Sequence, residues 1–458
     1  MLKRLATRHR PGSWWRSWTA RSPLMAMMVA LLMVWANFPA GADAGLRPVK
    51  HITTASGLSV WLVEEPGIPL VAIRFAFSGG ALQDPPGLEG LAVLMANLMT
   101  EGAGPHRAED FARHVADHAA RISIAASRDR ISGALDVLSS HLDASAALLR
   151  MALSAPRFDA DAVERARAQL VSTLAIASND PRATAFERWY AAAFPGHPSG
   201  RPVNGTLQSV ARITRGDIAG HHTALITRDR LRVVIVGDIR APRASLLVDE
   251  VFAGLPITSR LKEVNVVAPL ASAAPLITRA AQPLSTAVFG LPGLSPHHPD
   301  YAALQVLNHF LGSGDFDSRL MEEIRVKRGL AYSVQARLTH DAGTPLLVGS
   351  LATRNDTMAQ ALRVLRETLS DVAERGVPSE QLNRTQQYLT ASYPLDFDTN
   401  SGTASALLQL WLEGRAPEYL AERNAAINSV SAEDVHRVAR DVLRSDRLLI
   451  TIVGQPTP

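Results

Sequence analysis

One segment of this chain occurs twice, and nothing else in the sequence restricts the fold as much. Asp217 to Gly237 covers the same span as Asp434 to Gly454, 217 residues later. Without a gap, Asp217 meets Asp434, Asp229 meets Asp446, Arg230 meets Arg447, Leu231 meets Leu448, and Val236-Gly237 meets Val453-Gly454. Two unrelated helix–strand units would rarely share so many positions, so the repeat implies a duplicated domain. The Ala/Pro-rich stretch from Ala268 to Pro275 is the expected seam, separating residues 45–267 from 268–458.

Periodicity fills in each half. Strands are expected at His51–Thr54, Leu58–Val63, Leu70–Ser78, Arg121–Ser127, Arg130–Leu138 and Leu231–Gly237. Helices are expected at Leu88–Thr100, which is nearly all apolar and therefore buried, and at Ala108–His118, His141–Leu153, Asp159–Ala177, Arg182–Phe194 and Gly216–Ile226. Strands mixed with helix pairs give an α+β fold: two homologous halves, each a mainly antiparallel sheet with helices packed on one face.

Composition matters at one end. Lys3, Arg4, Arg8, Arg10, Arg16 and Arg21 precede the apolar run Leu24–Ala36, and Phe38–Ala44 is rich in small residues. Basic, then apolar, then Ala-x-Ala is the pattern of an export signal, with cleavage after Ala42 or Ala44. The run is short against the ~20 residues of a membrane span, so an uncleaved anchor is the weaker reading. Residues 1–44 hold those six basic groups and one acid, Asp43; without them the formal charge falls from +4 to −1. The basic balance belongs to the leader and gives no reason to expect a nucleic-acid partner. A membrane enters only if the leader stays on, and the expected location is the periplasm. There is no cysteine, which excludes disulfides, thiolate metal sites and cysteine nucleophiles.

The stretch Leu311-Gly-Ser-Gly-Asp-Phe-Asp-Ser-Arg-Leu-Met-Glu-Glu-Ile-Arg-Val-Lys-Arg-Gly-Leu-Ala-Tyr332 opens with small turn-formers. It continues as a helix with Leu320, Ile324 and Val326 on one side, and Gly329 can stop that helix in the left-handed region. Ala331–Leu338 then alternates as a strand, with Tyr332, Val334, Ala336 and Leu338 on one face. A loop–helix–turn–strand unit of this kind can aim Arg325 and Tyr332 into one cleft. Taken singly, Arg325 would pair with a nearby Glu and Tyr332 would be half-buried filler.

This stretch resembles the second-half signature of the pitrilysin/insulinase family, the inverzincin metallopeptidases: Leu-Gly-Gly-Gly, Ser-Arg-Leu, Glu-Ile-Arg, Lys-Arg-Gly-Leu-Ala-Tyr. The resemblance covers nearly all of residues 46–456. It implies a clamshell of two halves facing a cavity, and it places the family's functional Arg and Tyr at Arg325 and Tyr332. The family's first half carries His-x-x-Glu-His in the frame Gly-Leu-Ala-His-x-x-Glu-His-Met. Here that frame reads Gly90-Leu-Ala-Val-Leu-Met-Ala-Asn-Leu-Met-Thr-Glu-Gly102. Val93 and Asn97 stand at the histidine ligands and Ala96 at the general-base glutamate. The third ligand, a glutamate on a later helix, aligns through Asp180-Pro181 with Thr173. A catalytic zinc needs about three imidazole or carboxylate ligands, so no metal and no cofactor are expected in this chain.

Other features weigh less. His114 and His118 stand four apart with Asp117 beside them, a candidate metal pair on an amphipathic surface helix outside the aligned site. His221-His222, His297-His298 and Asp315/Asp317 are likewise read as ordinary solvated groups rather than ligands. Gly312-x-Gly314 lacks the preceding strand of a phosphate loop, and no Gly-x-Ser-x-Gly elbow occurs.

Some members of the family are split, one subunit supplying zinc and base and a homologous partner the Arg/Tyr pair. The resemblance therefore implies a non-catalytic subunit of an exported, heterodimeric zinc peptidase. Its partners would be a homologous subunit bearing His-x-x-Glu-His, which holds the zinc, and a peptide substrate, with no activity alone. The alternatives are a catalytically dead peptide-binding or scaffold protein of the same fold, and a self-sufficient metalloenzyme built on His114 and His118.

Overall fold

The computed structural model describes residues 47–272, 274–314, 317–340 and 343–457. The expected leader, residues 1–44, and Asp315 lie outside the described residues. From Arg47 onward the chain forms one compact unit.

Eleven main strands are described: β1 Lys50–Thr53, β2 Ser59–Glu64, β3 Leu70–Ser78, β4 Arg121–Ala126, β5 Arg130–Leu138, β6 Leu231–Gly237, β7 Leu276–Arg279, β8 Leu284–Pro292, β9 Ser333–Thr339, β10 Leu346–Arg354 and β11 Leu449–Gly454. The helices are α1 Leu91–Leu98, α2 Ala108–Asp117, α3 Leu142–Ser154, α4 Ala160–Ser178, α5 Pro181–Ala193, α6 Leu207–Arg212, α7 Arg215–Leu225 and α8 Ala241–Phe252 in the first half. In the second half they are α9 Tyr301–Asn308, α10 Met358–Arg375, α11 Ser379–Ser392, α12 Asn400–Leu412, α13 Tyr419–Asn428 and α14 Ala432–Val442.

The duplication is visible in the strand order. The first sheet runs β1-β2-β6-β3-β5-β4 and the second β7-β11-β8-β10-β9. Apart from the added β1, the two orders correspond strand for strand. The odd pair corresponds as well: β2 with β6, and β7 with β11, are parallel, whereas the other neighbours are antiparallel. One packing detail recurs in register. Phe75 of β3 lies opposite Gly133 of β5, and Phe289 of β8 opposite Gly349 of β10. At either glycine a Cβ would collide with the facing phenyl ring. The repeated helix is started twice in one way: Thr214 and Ser431 each accept the backbone N–H three residues on, while Asp217 and Asp434 reach back, forming two capping boxes.

Each sheet carries its own half's helices on one face, where the two large cores lie. The opposite face is not bare, which adds to the one-sided packing expected from sequence. Helix α5 of the first half crosses to the second sheet, and α12 of the second half crosses to the first. Ala185, Trp189 and Ala193 pack on Val288, Val348, Leu449 and Val453. Trp189 lies over Gly290, where any side chain would overlap the indole, and its Nε1–H donates to the Leu449 carbonyl at 3.1 Å. Reciprocally, Ala404, Leu407 and Leu408 pack on Trp61, Ala72, Ala76, Val234 and Val236. This exchange explains why β2, β3, β6, β8 and β11 are apolar on both faces.

Between α8 and β7 the described residues carry no regular structure, and residues 268–275 lie in this passage. Side chains and backbone from both halves hold it: Gln83 bonds the backbone of Lys262, Leu270 N–H donates to Ala193, and Thr344 Oγ1 donates to Val267.

Candidate functional site

Helix α1 occupies the position of the expected catalytic helix. It starts at Gly90, which sits at φ 93°. Its first amides are held by Asp84, whose carboxylate accepts N–H from Gly90 and Ala92, both at 2.9 Å. His221 brings Nε2 within 3.2 Å of Asp84 Oδ1, but off the line of a hydrogen bond, so that Nε2 has no hydrogen-bonding partner among the described residues. Burial, more than these donors can offset, pushes the Asp84 carboxyl above its usual range. Asp84 was not singled out from sequence; an acid six residues ahead of a glycine-started helix was the available signal.

The side chains at the metal positions carry no suitable donors. Ala96 is fully buried in the first core, Val93 is half-buried, and Asn97 is exposed. Thr173 lies on the exposed side of α4, which packs beside α1, and donates its hydroxyl to the Gln169 carbonyl at 3.0 Å. A methyl, an isopropyl group, a neutral amide and a hydroxyl already used within its own helix do not fit a zinc ion. Among the described residues no group of three or more His, Asp or Glu is placed to hold a metal. His114 packs against His106, with ring centroids 4.4 Å apart, and His118 against His141 at 5.6 Å.

The second half brings Arg325 and Tyr332 together. Arg325 lies on a π-helical turn, Met321–Val326, and Tyr332 immediately precedes β9. The wide turn shows in the Lys327 N–H, which reaches back five residues to Glu322 O at 2.9 Å. One expectation is corrected. Leu320 and Ile324 are buried, but Val326 is 66 % exposed, because two residues beyond Ile324 a helix has turned about 200° and faces the other way. Gly329, at φ 60°, ends the helix as anticipated, and its N–H donates to Arg325 O at 2.8 Å. The guanidinium carbon of Arg325 then lies 5.3 Å from the Tyr332 ring centroid, within cation–π range.

Tyr332 is 80 % exposed, so it is not half-buried filler. It keeps the even-numbered phase of Val334 and Ala336, which are buried, but stands just before the paired residues. Its N–H donates to Ala352 O at 3.3 Å. Strand β9 pairs with β10 on one side and is an edge of its sheet on the other.

The neighbouring glutamates are held by other cations. Arg319 reaches Glu322 at 3.0 Å and Glu323 at 2.9 Å, Lys327 reaches both at 2.9 Å, and Arg328 also binds Glu323. The Lys327 ammonium holds the Glu322 carboxyl below its usual range. Burial raises Glu323, but hydrogen bonds from Arg328 and Lys327 outweigh it and the net shift is downward. This lattice of charges braces the turn that presents Arg325.

Two family models match the chain. Residues 59–207 match the insulinase model (peptidase family M16) and residues 212–389 the peptidase M16 inactive domain. An uncharacterised zinc protease of Mycobacterium tuberculosis is 26 % identical over 414 residues, 88 % of this chain and 93 % of that protein. A non-peptidase homolog of Helicobacter pylori is 25 % identical over 335 residues, 73 % of this chain and 77 % of that one. A probable mitochondrial-processing peptidase subunit beta of Schizosaccharomyces pombe is 22 % identical over 431 residues, 90 % and 93 % of the two chains. The crystal structure of a peptidase M16 inactive domain from Pseudomonas fluorescens superimposes with a TM-score of 0.84 at 23 % identity, covering 90 % of this chain and 98 % of that one. That likeness shows the fold, an α+β clamshell of two related halves.

Proposed function

The chain belongs to the peptidase M16 (insulinase) family as a non-catalytic, peptidase-like member, and on that premise we propose that it is one subunit of an exported zinc metallopeptidase. In this reading it supplies substrate-binding and oxyanion-stabilising groups to a homologous subunit that bears His-x-x-Glu-His and holds the zinc. The observation that carries the reading is an asymmetry. The zinc and base positions hold Val93, Ala96, Asn97 and Thr173, yet Arg325 and Tyr332 remain side by side with the phenol exposed. M16 family members often form heterodimers, and the Schizosaccharomyces pombe relative is named as a subunit, which supports a partner. Export rests on the leader pattern.

The chain's own groups have defined tasks. The Tyr332 hydroxyl donates to the oxygen that gains charge as the scissile carbonyl is attacked. Arg325, braced on its turn, holds a substrate carbonyl or carboxylate through two parallel N–H bonds. The outer edge of β9, which begins beside both, offers backbone groups to an extended peptide.

The test is to purify the chain alone and together with homologues bearing His-x-x-Glu-His. Peptidase activity is expected only in the mixture, and Tyr332→Phe should lower its turnover about 10²–10³-fold, the usual loss for one oxyanion donor, with zinc content unchanged. Unaltered turnover would remove the catalytic role, and no activity with any partner would leave the scaffold reading, which the exposed edge strand also suits. Chelator-sensitive proteolysis by the homogeneous chain alone would overturn both.

A further inference from the structure

A cavity of about 730 Å³ opens where the first half's outer strands meet the loop after α12. Its size lies within the roughly 300–1,000 Å³ of small-molecule sites. The aromatic wall is built by both halves. Trp61 of β2 and Trp411 of α12 stack with centroids 4.6 Å apart and planes 4° apart, and His51 stands edge-on to Trp411 at 6.4 Å.

Three guanidiniums line the same cavity: Arg228, Arg232 and Arg415. Arg232 lies over the Trp411 ring, 5.5 Å from its centroid, and bonds only the Leu231 carbonyl, at 3.3 Å, among the described residues. Arg228 spends its terminal nitrogens on the Ser56 and Ala253 carbonyls, and Arg415 one of its own on Pro296. The Nε atoms of Arg228 and Arg415 are both buried without a hydrogen-bonding partner. Two carboxylates also line the cavity. Asp229 is occupied by the hydroxyls of Thr227 at 2.7 Å and Ser259 at 2.9 Å, and Glu418 is exposed. Arg415 is already paired with Glu413 at 3.9 Å and Asp229 with Arg230 at 3.7 Å, which leaves Arg228 and Arg232 against Glu418 and one positive charge in excess, suiting a monoanion better than a dianion. The stacked rings suit a flat apolar body beside that charge.

We propose that this cavity binds a monoanionic ligand with an aromatic body, of the class of a peptide's C-terminal aromatic residue with its free carboxylate. Arg232 receives the carboxylate and Trp411 flanks the ring. The site lies apart from Arg325 and Tyr332 and does not depend on their role.

Calorimetric titration of the full chain with N-acetyl-phenylalanine, its amide, and N-acetyl-alanine tests this. The aromatic acid should saturate a single site, and the two controls should bind at least about tenfold more weakly, the discount expected for losing a charged hydrogen bond or the stacked ring. Arg232→Gln should reduce affinity for the acid to that for the amide while the melting temperature stays put. Equal affinity of acid and amide in the unaltered chain would overturn the proposal without any variant. So would the absence of saturable binding, tighter binding of phenyl phosphate, or indifference to Arg232→Gln.

Discussion

Helix α1 of the first half and the Arg325 turn of the second stand where the family's two motifs fall, and they are built differently. On α1 every apolar side chain but Val93 is buried, and the site has become packing. On the second half's turn, ion pairs surround the backbone while Arg325 and Tyr332 stay at the surface. A buried helix can lose its polar ligands and be stabilised by the loss, because an unmet donor or charge in a core is costly. Tyr332, 80 % exposed, is under no comparable pressure.

The exchange of helices lets the two halves be compared energetically. Trp189 over Gly290 and Leu408 near Ala76 lie on corresponding helices, and the larger side chain faces the smaller floor. Trp189→Ala should cost about 3–5 kcal/mol and Leu408→Ala about 2–5 kcal/mol, with the tryptophan variant the worse by chemical denaturation. A larger loss from Leu408→Ala would break the assignment of α5 as the tighter clasp. Ala96→Glu, which restores the family's base, places a carboxylate in a sealed core; overpacking and desolvation together should cost at least about 3 kcal/mol. A thermal midpoint unmoved by that change would mean that α1 is still an open site. Thr214→Ala and Ser431→Ala remove equivalent caps and should each cost about 1 kcal/mol; a marked inequality would show that the repeated unit is anchored differently in the two halves.

The smallest effect concerns pH. Glu322 and Glu323 are more acidic folded than unfolded, so their ion pairs stabilise the turn above the unfolded value of 4.5 and release it as pH falls through the lower folded values. Amide protection across Arg319–Arg328, after allowing for the intrinsic slowing of exchange in acid, should fall in that window.

Much of this could be read in the chain itself. Strands Leu70–Ser78, Arg130–Leu138 and Leu231–Gly237 end where the pattern ends them, because Gly, Pro and charged residues punctuate them. The repeat pairs Asp217 with Asp434, and the structure gives both the same place in a capping box. Periodicity could not show that α5 and α12 change sides, since a residue buried against another half looks like any core residue. The unbroken apolar run Val233–Val236 did hint that both faces of β6 are covered. Val326 was misplaced because it stands two residues after Ile324, about 200° round a helix of 3.6 residues per turn. The Trp61–Trp411 wall joins residues 350 apart, which no local pattern links.

The crossed helices carry a consequence for how the chain can be made. Were it cut in the passage between α8 and β7, the amino fragment would expose the apolar row of α5 and the carboxyl fragment that of α12, each lacking the sheet that normally receives it. Neither piece could finish itself, so the two would have to meet during synthesis or precipitate.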